Sequence, residues 1–161
     1  MFYFGIVSAY TIFAYIKKNM WKETKIIKIK GAIINELWNT HSDVSNWANW
    51  QENIEWTKVK GKIEKGTTFV IKPKGAPKVK LEIITFDKPS IFTDISYLPL
   101  AKMKTTTKMK TIGEEVEIIL EIEMTGLLTF LWKKAIAKDI LEGHLKQNED
   151  MVKYIISNRN E

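Results

Sequence analysis

Two polar residues on an otherwise apolar helical stripe are the first candidates for chemistry, His144 and Asn148. They stand four apart, so on a helix they share one face. The stripe around them is Ala137, Ile140, Leu141, Leu145, Met151, Val152 and Ile155. An imidazole there could serve as a general acid or base, with Asn148 or a hairpin threonine orienting it. The same two side chains could instead bond to backbone or threonine groups inside a core, or lie wet on a helix that lifts off. Metal and thiolate chemistry finds no support. The chain has no cysteine, which removes disulfides, thiolate nucleophiles and cysteine metal sites. Its two histidines, His41 and His144, are far apart in sequence, so no zinc site and no cofactor is expected.

The elements that must position these residues can be read from periodicity. Residues 23–30 alternate as a strand that Gly31 ends, and Ile33, Ile34, Leu37 and Trp38 have helical spacing. Ser42-Asp43 can cap a second short helix running to Trp50. Trp47 and Trp50, three apart, share a face and read first as core anchors, with ligand contact as the alternative. Short strands follow at 53–60, 66–73, 78–86 and 90–98, with Phe69 and Ile71 inward, and Val79, Leu81 and Ile83 on one face. The inward face of 90–98 cannot be assigned from its pattern.

Residues 102–124 read as a hairpin about Ile112-Gly113. That turn would set Lys110 opposite Glu115, Lys108 opposite Glu117, Lys104 opposite Glu121 and Lys102 opposite Glu123. The other face would pair Met109 with Val116, Thr107 with Ile118, Thr105 with Leu120 and Met103 with Ile122. Residues 126–157 are a long helical stretch. Extending its apolar stripe backwards brings Lys133 and Lys134 onto the buried face, so residues 126–136 are expected to form a separate turn or short helix and the main helix to start near Ala135.

The chain's 161 residues suit one domain with a real core. Net charge is +6, carried by lysine; Arg159 is the only arginine. Many lysines face glutamates, and the near-absence of arginine argues against nucleic acid. Residues 1–16 are almost wholly apolar and are followed by Lys17 and Lys18. The run is short for a spanning helix and lacks a basic start or a clear cleavage site. Residues 1–19 therefore read as a short membrane anchor, a docked helix or a start-site artefact ahead of Met20. Residues 20–161 read as a single domain. A cytoplasmic location is expected, or a membrane-anchored one with the domain on the cytoplasmic side. Oligomeric state is not legible.

The order of strand, two short helices, antiparallel meander and long final helix resembles the α+β helix-grip fold of the START-like superfamily. Particular motifs carry the likeness further. Ala32-Ile-Ile-Asn-Glu-Leu-Trp38, Asp43-x-x-x-Trp47-x-x-Trp50, Gly61 before Gly66-Thr-Thr-Phe69, Gly126-Leu-Leu-Thr-Phe-Leu-Trp132 and Gly143 resemble the polyketide cyclase/dehydrase-like SRPBCC proteins. The likeness spans about residues 23–157. It departs at Ile33, where a proline is common, and at His144 and Asn148, where apolar residues are expected.

The resemblance implies a curved sheet of about seven strands around the C-terminal helix, with a cavity between them that takes lipids, polyketides or other aromatics. The candidate ligand-binding residues are then His144, Asn148 and Leu141 on the helix. Met103, Thr105, Thr107, Met109, Ile118 and Leu120 come from the hairpin, and Phe69 and Trp50 from elsewhere. A carrier or sensor of a small hydrophobic molecule fits this set. So does a cyclase- or dehydratase-type enzyme with His144 as acid/base, and no inward carboxylate can be picked out to help it.

Overall fold

The computed structural model describes residues 20–159; for residues 135–142, 144 and 145 it describes the backbone alone. The apolar run at 1–16 and the side chains of His144 and Leu141 thus lie outside the described residues. Seven strands run β1 Met20–Lys30, β2 Ile54–Val59, β3 Thr68–Pro73, β4 Val79–Asp87, β5 Ile91–Leu98, β6 Ala101–Ile112 and β7 Glu115–Gly126. They form one antiparallel sheet in the order β1-β7-β6-β5-β4-β3-β2. Between β1 and β2 lie α1 (Ile34–Ser42), a 3₁₀ turn (Val44–Asn46) and α2 (Trp47–Trp50). The chain closes with α3, Thr129–Arg159. This is the α+β helix-grip architecture, a curved sheet with a long C-terminal helix against it.

The β6–β7 hairpin keeps the expected faces but not the expected register. Lys110 pairs with Glu117, Met109 with Ile118, Thr107 with Leu120, Thr105 with Ile122 and Met103 with Met124. The pairing is shifted by two residues because the turn is Gly113-Glu114 and not Ile112-Gly113. Gly113 takes φ +60 and Glu114 has no positive φ. Glycine at the first central position is what a II′-type hairpin turn asks for, since its twist matches that of the strands. A two-residue shift preserves side-chain parity, so the apolar face stays inward. Outside, Lys104 reaches Glu123 at 3.2 Å, Lys108 reaches Glu121 at 3.1 Å and Lys110 reaches Glu117 at 2.8 Å.

Two further expectations are corrected. α3 is continuous from Thr129 and is not broken near Ala135. Its first turn is held by the buried Thr129 hydroxyl, which donates to the Gly126 carbonyl at 2.8 Å, and by Trp132 Nε1, which donates to the Pro99 carbonyl at 3.0 Å. Lys133 and Lys134 are exposed there, so the first turns of the helix do not bury the face that the later stripe buries. Neither Ser42 nor Asp43 caps a helix through its side chain; Asp43 Oδ2 accepts from Asn46 Nδ2 at 2.6 Å instead.

The inner face of the sheet is apolar at both ends. One buried cluster joins Trp38 of α1, Trp47 and Trp50 of α2, Phe69, Leu81, Ile83, Phe92, Met109, Val116, Ile118 and Met151. The other joins Trp21, Leu120, Ile122 and Met124, with Leu98, Met103 and Trp132 packed against it. Each such large side chain contributes about 1.5–3 kcal/mol on burial. Trp132 seats α3 on the second cluster and Met151 seats it on the first. The turns of α3 between them therefore cross the stretch of sheet that separates the clusters.

Candidate functional site

That intervening stretch is polar. Along β6 the inward residues run Met109, Thr107, Thr105, Met103, and along β5 they run Phe92, Asp94, Ser96, Leu98, as pairing with β4 and β6 requires. Asp94 pairs with Thr105 on one side and with Ile83 on the other; Ser96 pairs with Met103 and with Leu81. Thr105, Thr107, Asp94 and Ser96 thus make a polar belt on the inner wall, bounded by apolar clusters and passed over by α3.

All four side chains of the belt are buried. Asp94 is 5% exposed, and desolvation pushes its carboxyl from the ordinary range up to about 7. It enters no ion pair among the described residues, so nothing there favours its charged form. Ser96 is 0% exposed and its hydroxyl has no hydrogen-bond partner among the described residues. Leaving a hydroxyl buried and unmet costs about 1–3 kcal/mol. Such groups are rare in native folds, and each calls for an explanation. Two more of the kind sit where α2 meets β2, Trp50 Nε1 and Gln51 Nε2. Gln51 Oε1 is met, by Gln147 Nε2 of α3. Gly143 passes close by, where an added Cβ would lie 3.7 Å from Asn53 Nδ2. His41 stacks edge-on to Phe92 at 5.3 Å, beside the belt.

Of the residues expected at the site, Phe69, Met109, Ile118, Leu120 and Trp50 are buried in the apolar clusters, and Thr105 and Thr107 are in the belt between them. Met103 is half-buried against the second cluster. Asn148 is half-buried on α3 and has interaction partners of its own. Asp94 is an inward carboxylate that the sequence alone does not pick out. It and Ser96 went unnoticed because β5 sets its polar residues inward and Ile91 and Ile95 on the opposite face, which inverts the usual alternation. Plain alternation from Leu81 and Ile83 across the 87–90 turn would set Ile91 and Ile95 inward; the bulge between Ile83 and Thr85 switches the parity and brings Asp94 and Ser96 inside.

Among the described residues no group of three or more His, Cys, Asp or Glu side chains could hold a metal. A shallow open cleft of about 250 Å³ lies away from the belt, between α1 and the last turns of α3, lined by Glu36, Asn39, Tyr154 and Asn158 among others. Arg159 crosses it to pair with Glu36.

The fold is the helix-grip fold of several solved structures. It overlays on the di-domain ARO/CYC StfQ of the steffimycin biosynthetic pathway with a TM-score of 0.77 at 8% identity, covering 94% of this chain and 56% of that one. A hypothetical protein from Helicobacter pylori gives 0.69 at 16% identity, with 83% and 87% of the two chains covered. Norcoclaurine synthase from Thalictrum flavum, in complex with dopamine and hydroxybenzaldehyde, gives 0.66 at 12% identity, with 89% and 91% covered. These identities define a shared fold. No family model and no curated protein sequence matches the chain.

Proposed function

We propose that the protein binds a small, mainly apolar molecule between the sheet and α3, and that the molecule carries a neutral hydroxyl or carbonyl group. The observation behind this is the belt: polar side chains buried between two apolar clusters, one of them a hydroxyl with no partner among the described residues. A mostly apolar site with a few fixed polar groups is the usual design for small-molecule recognition. Neutral oxygen suits this belt because Ser96, Thr105 and a protonated Asp94 can each donate and accept. His144 and Asn148 of α3, with Leu141, are the proposed contributors from the opposite side. The neighbours of known name, an ARO/CYC and norcoclaurine synthase, are consistent with occupancy of such a space.

A naphthalene and 2-naphthol pair, followed by quenching of tryptophan emission, tests this. The oxygenated ring should bind more tightly, and Ser96→Ala should weaken it about tenfold while leaving naphthalene unaffected, as expected for one lost hydrogen bond. Equal binding of both rings to wild type and variant would remove the polar pole. Binding of neither would remove the ligand site.

A second reading is acid/base catalysis in the same space, favoured by the Asp94 carboxyl lying near pH 7, where a general acid works best. Asp94 would then share the task first assigned to His144. Once a substrate is in hand, Asp94→Asn should abolish turnover and spare binding; unchanged turnover in both Asp94→Asn and His144→Ala ends this reading.

A further inference from the structure

We propose that the ridge formed by the β5–β6 turn and the first turn of α3 is a docking surface for anionic phospholipid bilayers. Tyr97, Leu100, Leu127, Phe130 and Leu131 are all exposed there, Leu100 and Phe130 most of all at 64% and 63%. These residues form one ridge. Leu128 N donates to the Leu100 carbonyl at 3.3 Å, and Trp132 Nε1 donates to the Pro99 carbonyl. Gly126 lies so close to the turn that an added Cβ would stand 2.5 Å from the Leu100 oxygen. The ridge is therefore built on a fixed backbone contact. An apolar patch of this kind on a polar surface marks an interaction site.

Leu100 sharpens the point. It takes φ +53, in the left-handed region that leucine avoids, while its side chain stands in solvent. Pro99 at the first central position of this two-residue turn calls for a positive φ at the second, and the turn so made holds the Leu100 side chain out in solvent.

The rim chooses the occupant. Lys102, Lys133 and Lys134 stand around the ridge, all exposed, while Lys22 on the neighbouring strand is paired with Glu121 at 3.8 Å. Lys102 lies 5.5 Å from the Tyr97 ring and Lys133 5.8 Å from the Trp21 ring. The first turn of α3 holds no acidic residue, and Glu123 nearby is paired to Lys104. Aromatic and leucine tips inside a ring of lysines match the boundary of a negatively charged bilayer. The described chain also begins at this end, with Met20 in register with Thr125. The sequence joined there is the apolar run 1–16 and then Lys17 and Lys18, a second membrane-seeking signal of the same charge pattern. Among the described residues no helix is long and apolar enough to cross a membrane. The proposal does not depend on the ligand reading above.

The test is co-sedimentation of the full chain with vesicles of phosphatidylcholine alone or with roughly a third phosphatidylserine, at about 0.1 M salt. Anionic vesicles should hold the protein at least about tenfold more tightly, and raising salt to about 0.5 M should weaken this. Phe130→Asp with Leu131→Asp, at positions already exposed, should leave the melting temperature unchanged and lower the partition about tenfold or more. Lys133→Glu with Lys134→Glu should do the same without touching an apolar residue, and Leu100→Asp provides a third site should one pair fail to fold. Partition unaltered by these changes would assign binding to residues 1–16 alone and overturn the proposal. No vesicle binding by wild type would overturn it as well, as would a dimer that Phe130→Asp and Leu131→Asp dissociate, which would give the ridge to a second copy of the chain.

Discussion

A carboxyl whose neutral form is favoured in the fold keeps its proton over a pH range where the unfolded chain has already lost it. Asp94 is such a group, raised to about 7 by burial. Its contribution is neutral below the ordinary carboxylate range, becomes unfavourable as pH rises from about 4 towards 7, and is constant above. The full difference is on the order of 4 kcal/mol. Asp94→Asn keeps the shape and cannot ionise. Urea unfolding should find wild type less stable at pH 8 than at pH 5, and the Asn variant should lose most of that difference and be the more stable protein at pH 8. Equal pH dependence of the two would clear Asp94 of the effect. Ser96→Ala removes an unmet buried hydroxyl, so it should hold or raise stability by about 1 kcal/mol, measured in the same titration. Gain of stability on deleting a polar group is what a binding site offers and a packing site does not. These two residues were also the least legible in the sequence. Alternation finds inward residues because they are apolar, and at 94 and 96 the inward residues are Asp and Ser. Rules of local pattern fail where a fold keeps polar groups inside for use.

At the scale of elements the pattern was far more readable. Alternation at Val79, Leu81 and Ile83 and along residues 116–122 located the inner faces correctly, because one slipped residue would bury charge. Register within those faces was misjudged by two, since side-chain parity cannot distinguish turns centred one residue apart. The start of α3 was misjudged because its first turn is fixed by contacts distant in sequence, Trp132 to Pro99 and Gly126 against Leu100. Gly126 has φ +127 and no room for a methyl group. Gly126→Ala should cost about 3 kcal/mol or more, from strain and overpacking together, read as a loss in melting temperature. Met151→Ala should cost about 2–5 kcal/mol, because Met151 is the buried contact that seats the far half of α3. A smaller loss would mean that the helix is held mainly by its start.

For the whole molecule, the lysine–glutamate pairs of the outer face cancel one another, and the net charge of +6 is carried by the lysines in excess of them. Such exposed pairs are worth about 0–1 kcal/mol each, so adding salt to about 0.5 M should change stability little. The sheet order has a different consequence, for the time course of folding. Among the described residues β1, the first strand in the chain, pairs only with β7, the last, from Met20 with Thr125 to Lys30 with Glu115. On a ribosome it must wait, unpaired, until nearly the whole sheet has been synthesised. Its lysines at 22, 25, 28 and 30 keep it soluble and discourage wrong partners meanwhile. Closing so distant a pair raises the contact order, and chains of this kind fold in milliseconds to seconds. A nascent chain stalled before Glu115 should therefore leave β1 open to protease, while one released past Gly126 should protect it.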